Sequence, residues 1–321
     1  MFRKYKKKIL ISVTFGAVIF LAFSIYADFG NLIDSFSKFN WLWFPLVLAF
    51  SFGNYIIRFF KWQYYLKLLG IKIRPLRSLL IFFASFIMSV TPGKMGEVLK
   101  SFLLKEETGT PVSVSAPIVL AERITDFLSI VILCLAGAIV FDYGTGIILA
   151  TGLAFVILTI LLSSKTICHK LISVLCKIRF IEKHSEKIYS AYDSIYVLIK
   201  LKPLFIVVLI STAAWFLECL GFYTVLNVFS GVSNIDVSIL KATFIYGFST
   251  LIGAIAMLPG GLGVTEASLT GLLVFLKIPK DISVASTIII RVATLWFAVI
   301  LGIIAVQFYQ KILHKEIKDI E

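Results

Sequence analysis

Ten charged residues lie within or beside long apolar stretches of this 321-residue chain. They are Arg58, Lys94, Glu97, Lys100, Glu122, Arg123, Asp126, Glu218, Glu266 and Arg291. A charge within an apolar segment is costly, so such residues are candidates for function. Lysine and arginine bind phosphate, whereas carboxylates pair with them or take up a proton or a cationic group. These residue types therefore indicate binding of a charged group inside an apolar environment.

The stretch "PGKMGEVLK" (92–100) combines two lysines with two glycines and a glutamate. Its glycines would open a helix whose free backbone N–H groups suit an anion such as phosphate. Lys94 would lie at that helix start and Lys100 follows six residues later, which predicts a phosphate clamp. The alternative is that Lys94 extends to the cytoplasm and that Lys100 pairs with Glu97 at i,i+3.

The stretch "ERITD" (122–126) places Glu122 and Asp126 one helical turn apart, with Arg123 beside them. Arg123 at membrane depth needs a carboxylate partner, which Asp126 or Glu97 can supply. Ligand binding and a purely structural ion-pair network both fit this pattern.

The second half of the chain carries fewer charges of this kind. Glu266 is the natural partner for Arg291, by analogy with the first half. Glu218 is the only charge in its apolar stretch. It is either a proton-coupling carboxylate or a protonated group held by hydrogen bonds, and the sequence leaves both open.

These patterns give two sets of predicted site residues. The set predicted to bind a phosphate-bearing head group is Lys94, Lys100, Arg123, Gly93 and Gly96. The set predicted to line a polar cavity and to pair charges is Glu97, Glu122, Asp126, Glu266, Arg291 and Glu218.

Enzyme signatures are missing from the sequence, which has no H-E-x-x-H, G-x-S-x-G or Walker A pattern. The histidines (His169, His184 and His314) lie in basic segments, and the four cysteines form no C-x-x-C pair. Glu122 and Asp126 are the one pair available for acid–base chemistry. We therefore expect a protein that is not an enzyme and that uses no metal or other cofactor.

The composition indicates where the charges lie. Hydrophobic residues make up 59% of the chain and the mean hydropathy is +0.98, against roughly 45–50% apolar residues in soluble domains. Apolar stretches of about 20 residues are typical of membrane-spanning helices. Six spans are predicted, at 9–27, 41–60, 115–140, 146–162, 203–229 and 282–308. Together with two broken apolar segments, 76–107 and 239–276, they predict an all-α polytopic membrane protein.

The formal charge of +13 does not indicate a nucleic-acid partner, because its distribution follows the spans. Twenty-two of the 31 Lys and Arg residues cluster in four blocks, which are 1–8, 58–77, 163–202 and 309–321. The other connections hold only Lys38, Lys241, Lys277 and Lys280. The positive-inside rule then places both termini and the 163–202 loop in the cytoplasm, with the protein in the cytoplasmic membrane.

An internal repeat relates the two broken segments. "TPGKMGEVLKSFLL" (91–104) and "LPGGLGVTEASLTGLL" (258–273) share Pro-Gly-x-x-Gly after an apolar run. Pro92 and Pro259 are 167 positions apart, and Arg123 and Arg291 are 168 apart, so one indel aligns both landmarks.

The charge distribution makes this an inverted repeat. The first broken segment would enter and leave the membrane from the cytoplasm, and the second from outside. Broken helices of this kind meet near the midplane of many transporters and form the substrate site. The predicted hairpin tips are Pro92, Pro259, Gly260, Gly261 and Gly263. The alternative is a simple proline kink in a continuous span.

We therefore expect a single integral membrane domain over residues 1–321. Its parts are an N-terminal anchor span (1–40), a first repeat (41–140) with re-entrant hairpin 76–107, a linking span and amphipathic cytoplasmic loop (141–202), a second repeat (203–308) with re-entrant hairpin 239–276, and a cytoplasmic tail (309–321).

Three motifs carry a family resemblance. "TPGKMGEVLKSFLL", "AERITDFLSI" and "LPGGLGVTEASL" are similar to signature elements of the flippase-like membrane domain of lysylphosphatidylglycerol synthases, the multiple peptide resistance factor family. The resemblance covers nearly the whole chain. Lys94 and Lys100 stand where that family commonly has arginine, and lysine lacks the bidentate fork of arginine.

The resemblance implies translocation of a phospholipid or lipid-linked head group, without lysyl transfer because the family's soluble domain has no counterpart in this sequence. One alternative is a non-transporting accessory protein for a lipid-synthesis or glycosyltransferase partner. Another is an ion-coupled carrier of a small soluble anion. Because no nucleotide site is predicted, active transport would need a gradient, with Glu218 as the candidate coupling residue.

Overall fold

The computed structural model describes residues 28–91, 97–138, 145–176, 182–233 and 237–318, with five positions between 18 and 26. Its helices are α1 (Phe29–Lys38), α2 (Phe44–Leu68), α3 (Pro75–Ala84), α4 (Leu99–Thr108), α5 (Val112–Ser115), α6 (Pro117–Ala138), α7 (Thr145–Ser163), α8 (Lys165–Leu175), α9 (Ser185–Leu198), α10 (Leu201–Ser233), α11 (Ile239–Ile255), α12 (Val264–Phe275), α13 (Lys280–Arg291) and α14 (Phe297–Lys318). Short 3₁₀ turns lie at Trp41–Trp43, Ser85–Met88 and Pro259–Gly261, and a π-helical turn, Val292–Trp296, joins α13 to α14. No strand occurs in these ranges.

Four helical segments are long and apolar enough to cross a membrane: Trp41–Leu68, Thr145–Ser163, Leu201–Gly231 and Lys280–Lys311. They correspond to four of the six predicted spans. The fifth, 115–140, corresponds to α6, which has 22 residues but carries three charged side chains in its first half. The predicted span 9–27 lies almost entirely outside the described residues. The prediction of an all-α polytopic membrane protein is confirmed.

The second broken segment is a helical hairpin rather than a kinked continuous helix. Positive φ angles at Gly260 (61°), Gly261 (67°) and Gly263 (86°) let the chain reverse between α11 and α12. The two helices then pack against each other, and Gly253 leaves no room for a Cβ atom beside Thr265.

The first broken segment has the same two-helix form. Proline at position 75 suits the first turn of α3, where its missing N–H is not needed. The helix runs through a 3₁₀ turn to Met88, and helical structure resumes with α4. The predicted tip residues, Pro92, Gly93, Lys94 and Gly96, lie outside the described residues.

Each hairpin packs against the last helix of the other half of the chain. The first helix of hairpin one, α3, lies along α14, and its counterpart α11 lies along α6. Glycines allow the close approach: a Cβ at Gly302 would lie 2.5 Å from the backbone nitrogen of Ile87, and one at Gly137 would lie 2.8 Å from the carbonyl oxygen of Leu240. Helices α2 and α10 pack along each other between these pairs. The orientation of the two halves in a membrane stays a prediction.

The segment 163–202, predicted to form amphipathic helices, contains α8 and α9. They pack together through a small cluster of Cys168, Ile172 and Tyr192. Helix α9 also contacts α6, so this segment is attached to the body of the protein.

Candidate functional site

Helix α2 presents one polar face to the protein interior. Asn54, Arg58, Lys61 and Tyr65 follow at spacings of four, three and four residues, which places them on one side of a helix. Lys61 is fully buried, and its Nζ lies 2.6 Å from Asp126 Oδ1 and donates to the Ser211 hydroxyl at 2.7 Å.

Helix α6 brings the residues of the "ERITD" motif to the same place. Arg123 Nη2 lies 3.0 Å from Glu97 Oε2 and 3.3 Å from Asp126 Oδ2. Lys100 pairs with Glu122 and lies over the Trp62 ring, with Nζ 4.8 Å from the ring centroid. The alternative pairing of Lys100 with Glu97 is therefore wrong, because Glu97 faces α6 and is taken by Arg123.

These side chains form the first-half cluster, whose members are Arg58, Lys61, Glu97, Lys100, Glu122, Arg123 and Asp126. It has four cations and three carboxylates, so it carries one excess positive charge. Every member except Arg123 is less than 9% exposed. Arg58 is the least well paired member: its Nη2 lies 3.7 Å from Asp126 Oδ2, too far for a good hydrogen bond.

The second-half cluster is smaller and electrically balanced. Arg291 Nε donates to Glu266 Oε1 at 2.6 Å, and Arg291 Nη2 donates to the Gly260 carbonyl oxygen at 2.7 Å. The other oxygen of Glu266 accepts the Gly263 backbone N–H at 2.7 Å and so caps α12. One guanidinium thus holds both the tip of the hairpin and the start of its second helix.

A cavity of about 470 Å³ lies between the two clusters. Its lining comes from α2, α6, α7, α10 and α11, from the end of the first helical arm of hairpin one (Phe86 and Ser89), from the tip of the second hairpin and the start of α12, and from the segment between Arg291 and Ala298. The charged side chains in this lining are Arg58, Arg123, Asp126, Glu218 and Arg291. Glu218 accepts a hydrogen bond from the Tyr246 hydroxyl at 2.6 Å. Both halves of the chain therefore supply charges to one enclosed space.

Apolar side chains form one side of this cavity and also reach the outer surface. Those that are both in the lining and exposed include Leu120, Leu158, Ile255, Met257 and Leu258. Two of them belong to α6 and α7, and the other three belong to the second hairpin. We call these five residues the apolar rim. A charged interior beside an apolar rim suits a molecule with one polar and one apolar part.

The structure divides the predicted site residues into three groups. Arg123, Asp126, Glu218, Arg291, Gly260 and Gly261 line the cavity. Glu97, Lys100, Glu122 and Glu266 lie behind the lining as ion-pair partners, and Gly263 contacts Glu266. Four predicted residues lie outside the described ranges: Pro92, Gly93, Lys94 and Gly96. Pro259 lies in the 3₁₀ turn at the tip of the second hairpin.

Sequence reasoning missed Lys61. It counted this lysine among the cytoplasmic basic residues of 58–77, but the side chain is fully buried. The helical spacing of Asn54, Arg58 and Lys61 was the available signal, since a lysine on the same face as a buried Asn and Arg is not free to reach the membrane surface.

Comparison with known proteins agrees with this architecture. Residues 9–302 match the family model of the lysylphosphatidylglycerol synthase TM region. The chain belongs to this family. The resemblance that the three sequence motifs carry is therefore confirmed over nine-tenths of the chain.

Individual relatives of this lysylphosphatidylglycerol synthase TM region protein are similar along most of their length. A UPF0104 membrane protein of Methanocaldococcus jannaschii is 27% identical over 73% of this chain and 98% of its own. Two UPF0104 membrane proteins of Methanothermobacter thermautotrophicus are 24% and 21% identical, over 96% and 98% of this chain and 95% and 99% of their own. These relatives are membrane proteins, and they support a membrane role for this chain.

Proposed function

We propose that this protein translocates a phospholipid or lipid-linked head group across the cytoplasmic membrane. The observation that carries the proposal is the charged cavity between the two halves, with its apolar rim. The head group would occupy the cavity while the acyl chains stay outside it, in contact with the rim and the bilayer. A volume of about 470 Å³ is within the range of roughly 300–1,000 Å³ that is usual for small-molecule sites.

The side chains take different roles in this proposal. Arg123 contacts the phosphate, because its guanidinium lines the cavity and is the most exposed ion-paired group of the first-half cluster. Lys100 serves a structural role, since Glu122 and Trp62 enclose it away from the cavity. Glu218, in the same lining, is the candidate for proton coupling, as a buried carboxylate that faces this space.

The proposal includes no chemical conversion of the lipid, so the protein is a transporter and not an enzyme. It also places both termini in the cytoplasm, which rests on the distribution of Lys and Arg along the sequence. Single cysteines introduced near residues 4 and 318, in a variant whose four native cysteines are replaced by alanine, test this orientation. A membrane-impermeant maleimide should label them only after intact cells are opened.

Transport is tested with purified protein in liposomes. A panel of head-group-labelled phospholipids would be supplied on one face, and their arrival on the other face would be measured. We compare the wild type with Arg123→Gln and with the matched control Arg77→Gln. Arg77 pairs with Glu107 at 2.8 Å, outside the described cavity lining.

We expect lipid movement by the wild type and by Arg77→Gln, and at least a tenfold lower rate for Arg123→Gln. Movement that does not depend on Arg123 would contradict the proposed site. If folded wild-type protein moves no lipid, the accessory role becomes the better hypothesis. A stoichiometric lipid-synthesis or glycosyltransferase partner should then co-purify with it.

A further inference from the structure

Arg58 is a buried cation whose hydrogen-bonding capacity is not used by the described residues. It is 8% exposed and lines the central cavity. Its one described ion-pair partner, Asp126, is 3.7 Å away and is already contacted more closely by Lys61 and Arg123. A guanidinium has five N–H donors, and leaving them unsatisfied in a buried place is costly. These donors are therefore available to an additional acceptor in the cavity.

Arg123 has a free donor close to this point. Its Nε is buried and makes no hydrogen bond to the described residues. Arg123 Nη2 and Arg58 Nη2 lie 3.3 and 3.7 Å from the same oxygen, Asp126 Oδ2, so the two nitrogens are no more than 7.0 Å apart. Two guanidinium groups at this separation can both donate to the oxygens of one phosphate, which arginine binds through paired N–H groups.

The charges around the cavity come close to balance. Arg58, Arg123 and Arg291 contribute three positive charges to the described lining, and Asp126 and Glu218 contribute two negative charges. Arg291 does not contribute to the imbalance, because Glu266 neutralises it from behind the wall. The excess positive charge lies in the first-half cluster, where four cations face three carboxylates. Glu218 faces the same cavity and offsets this excess when it is ionised, so the case for an anion rests on the unused N–H donors of Arg58 and Arg123.

We propose that the guanidinium groups of Arg58 and Arg123 form an anion site that binds the phosphodiester of a membrane lipid. The site is the wall of the cavity next to Asp126. Its assignment to a lipid, rather than to a soluble phosphate ester, rests on the proposed function and on the apolar rim. The anion site itself rests only on the unused N–H donors of Arg58 and Arg123 in the cavity.

Binding to the purified protein in detergent tests this inference without a transport assay. The probes are phosphatidylglycerol, diacylglycerol with the same acyl chains, and glycerol 3-phosphate. Thermal unfolding is measured as a function of probe concentration, because a ligand that binds the folded state raises Tm. The variants are Arg58→Gln, Arg58→Lys and the control Arg77→Gln.

We expect phosphatidylglycerol to raise the Tm of the wild type and of Arg77→Gln, and diacylglycerol to have little effect. Arg58→Gln should weaken binding at least tenfold, and Arg58→Lys should weaken it less, because lysine keeps the charge but loses the fork. Without lipid, Arg58→Gln should not lower Tm, since Asp126 keeps Lys61 and Arg123 as partners. A variant that loses lipid binding without losing stability separates a binding role from a structural one.

Three results would overturn the inference or its assignment. If Arg58→Gln binds phosphatidylglycerol with wild-type affinity, Arg58 is not part of the anion site. Equal stabilisation by diacylglycerol would show that acyl chains alone are recognised. If glycerol 3-phosphate binds as tightly as phosphatidylglycerol, the anion site stands but its ligand is a soluble phosphate ester. Phosphatidylglycerol binding that depends on Arg58, together with no lipid movement in liposomes, would contradict the proposed function and leave the anion site standing.

Discussion

Both halves of this protein contain the same Arg–Glu pair, in different surroundings. Arg123 pairs with Glu97 and Arg291 pairs with Glu266, and in each case the arginine of a long helix holds the second part of the preceding hairpin. The second pair makes its hydrogen bonds within the protein: its arginine also binds a carbonyl oxygen of the hairpin tip, and its glutamate caps a helix. The first pair is joined to Asp126, Lys61 and other charges, and its Arg123 Nε makes no hydrogen bond to the described residues.

The comparison teaches that one kind of contact can serve two purposes. A buried ion pair with matched charges and satisfied hydrogen bonds holds a hairpin in place, but it has nothing left to offer a ligand. The first-half cluster keeps N–H donors on Arg58 and Arg123 that the described residues do not use, and these give it the capacity to bind an anion. Stability and binding should respond differently to substitutions in the two halves.

The largest effect should come from Asp126, which is the common partner of three cations. In Asp126→Asn, Lys61 and Arg58 stay buried without a carboxylate, and we expect a loss of about 4 kcal/mol or more of unfolding free energy. Thermal and denaturant unfolding in detergent would measure it. The control is Asp281→Asn, because among the described residues Asp281 forms no ion pair and accepts a hydrogen bond from Ser35 at the start of α13. Similar losses in both variants would contradict the account of the first-half cluster.

The second pair should be replaceable as a unit. Glu266→Gln leaves Arg291 buried without a carboxylate, and we expect a loss of about 3 kcal/mol. The double variant Glu266→Gln with Arg291→Met removes both charges and keeps an oxygen for the Gly263 N–H, so at least half of that loss should return. The same exchange at Glu97 and Arg123 should restore stability without restoring lipid movement. Recovery of lipid movement in the double variant at Glu97 and Arg123 would contradict the proposed difference between the two halves.

A backbone contact should give the next largest effect. In Gly302→Ala the added Cβ would meet the Ile87 backbone at 2.5 Å, and backbone atoms cannot move aside as a side chain can. We expect a loss of about 2 kcal/mol from overpacking, visible as a lower Tm. Gly271→Ala is the matched control, since a Cβ there meets no atom within 4 Å. If the two variants unfold alike, the helices are not held as closely as the structure shows.

The smallest effect should come from Tyr246, which donates to Glu218 in the cavity lining. Tyr246→Phe removes one hydrogen bond to a carboxylate, and we expect a loss of about 1.5 kcal/mol. Lipid binding at Arg58 should stay within twofold of the wild type, while the dependence of transport on pH should shift if Glu218 carries the coupling proton. Tyr223→Phe serves as the control, because the Tyr223 hydroxyl makes no hydrogen bond to the described residues. A large loss of lipid binding in Tyr246→Phe would move the head-group site toward Glu218.

The sequence predicts the second hairpin well because its signals are local. The glycines that reverse the chain lie next to Pro259 in the sequence, and Glu266 lies within the first turn of the helix that follows. Arg291 is then the one nearby buried cation that can pair with Glu266. Patterns of this kind depend on neighbours in the chain, which a sequence displays directly.

The first-half cluster was harder to predict because its partners come from distant segments. Lys61 meets Asp126 and Ser211, which are 65 and 150 residues away. Lys100 does not pair with Glu97, three residues before it, but with Glu122, because tertiary packing turns Glu97 toward Arg123. Sequence spacing could identify buried charges in this region but not decide which of several carboxylates each one meets.

The close contacts at Gly302 and Gly137 mean that neither half of the chain is a complete folding unit. Each half contains a hairpin whose packing partner is encoded in the other half. A gene that encoded only one half could produce this fold only as a pair of molecules inserted in opposite directions. In the predicted topology, α7 provides the extra crossing that gives the second half its opposite direction. A chain shortened by that helix would present both hairpins from the same side of the membrane, and the two could no longer meet.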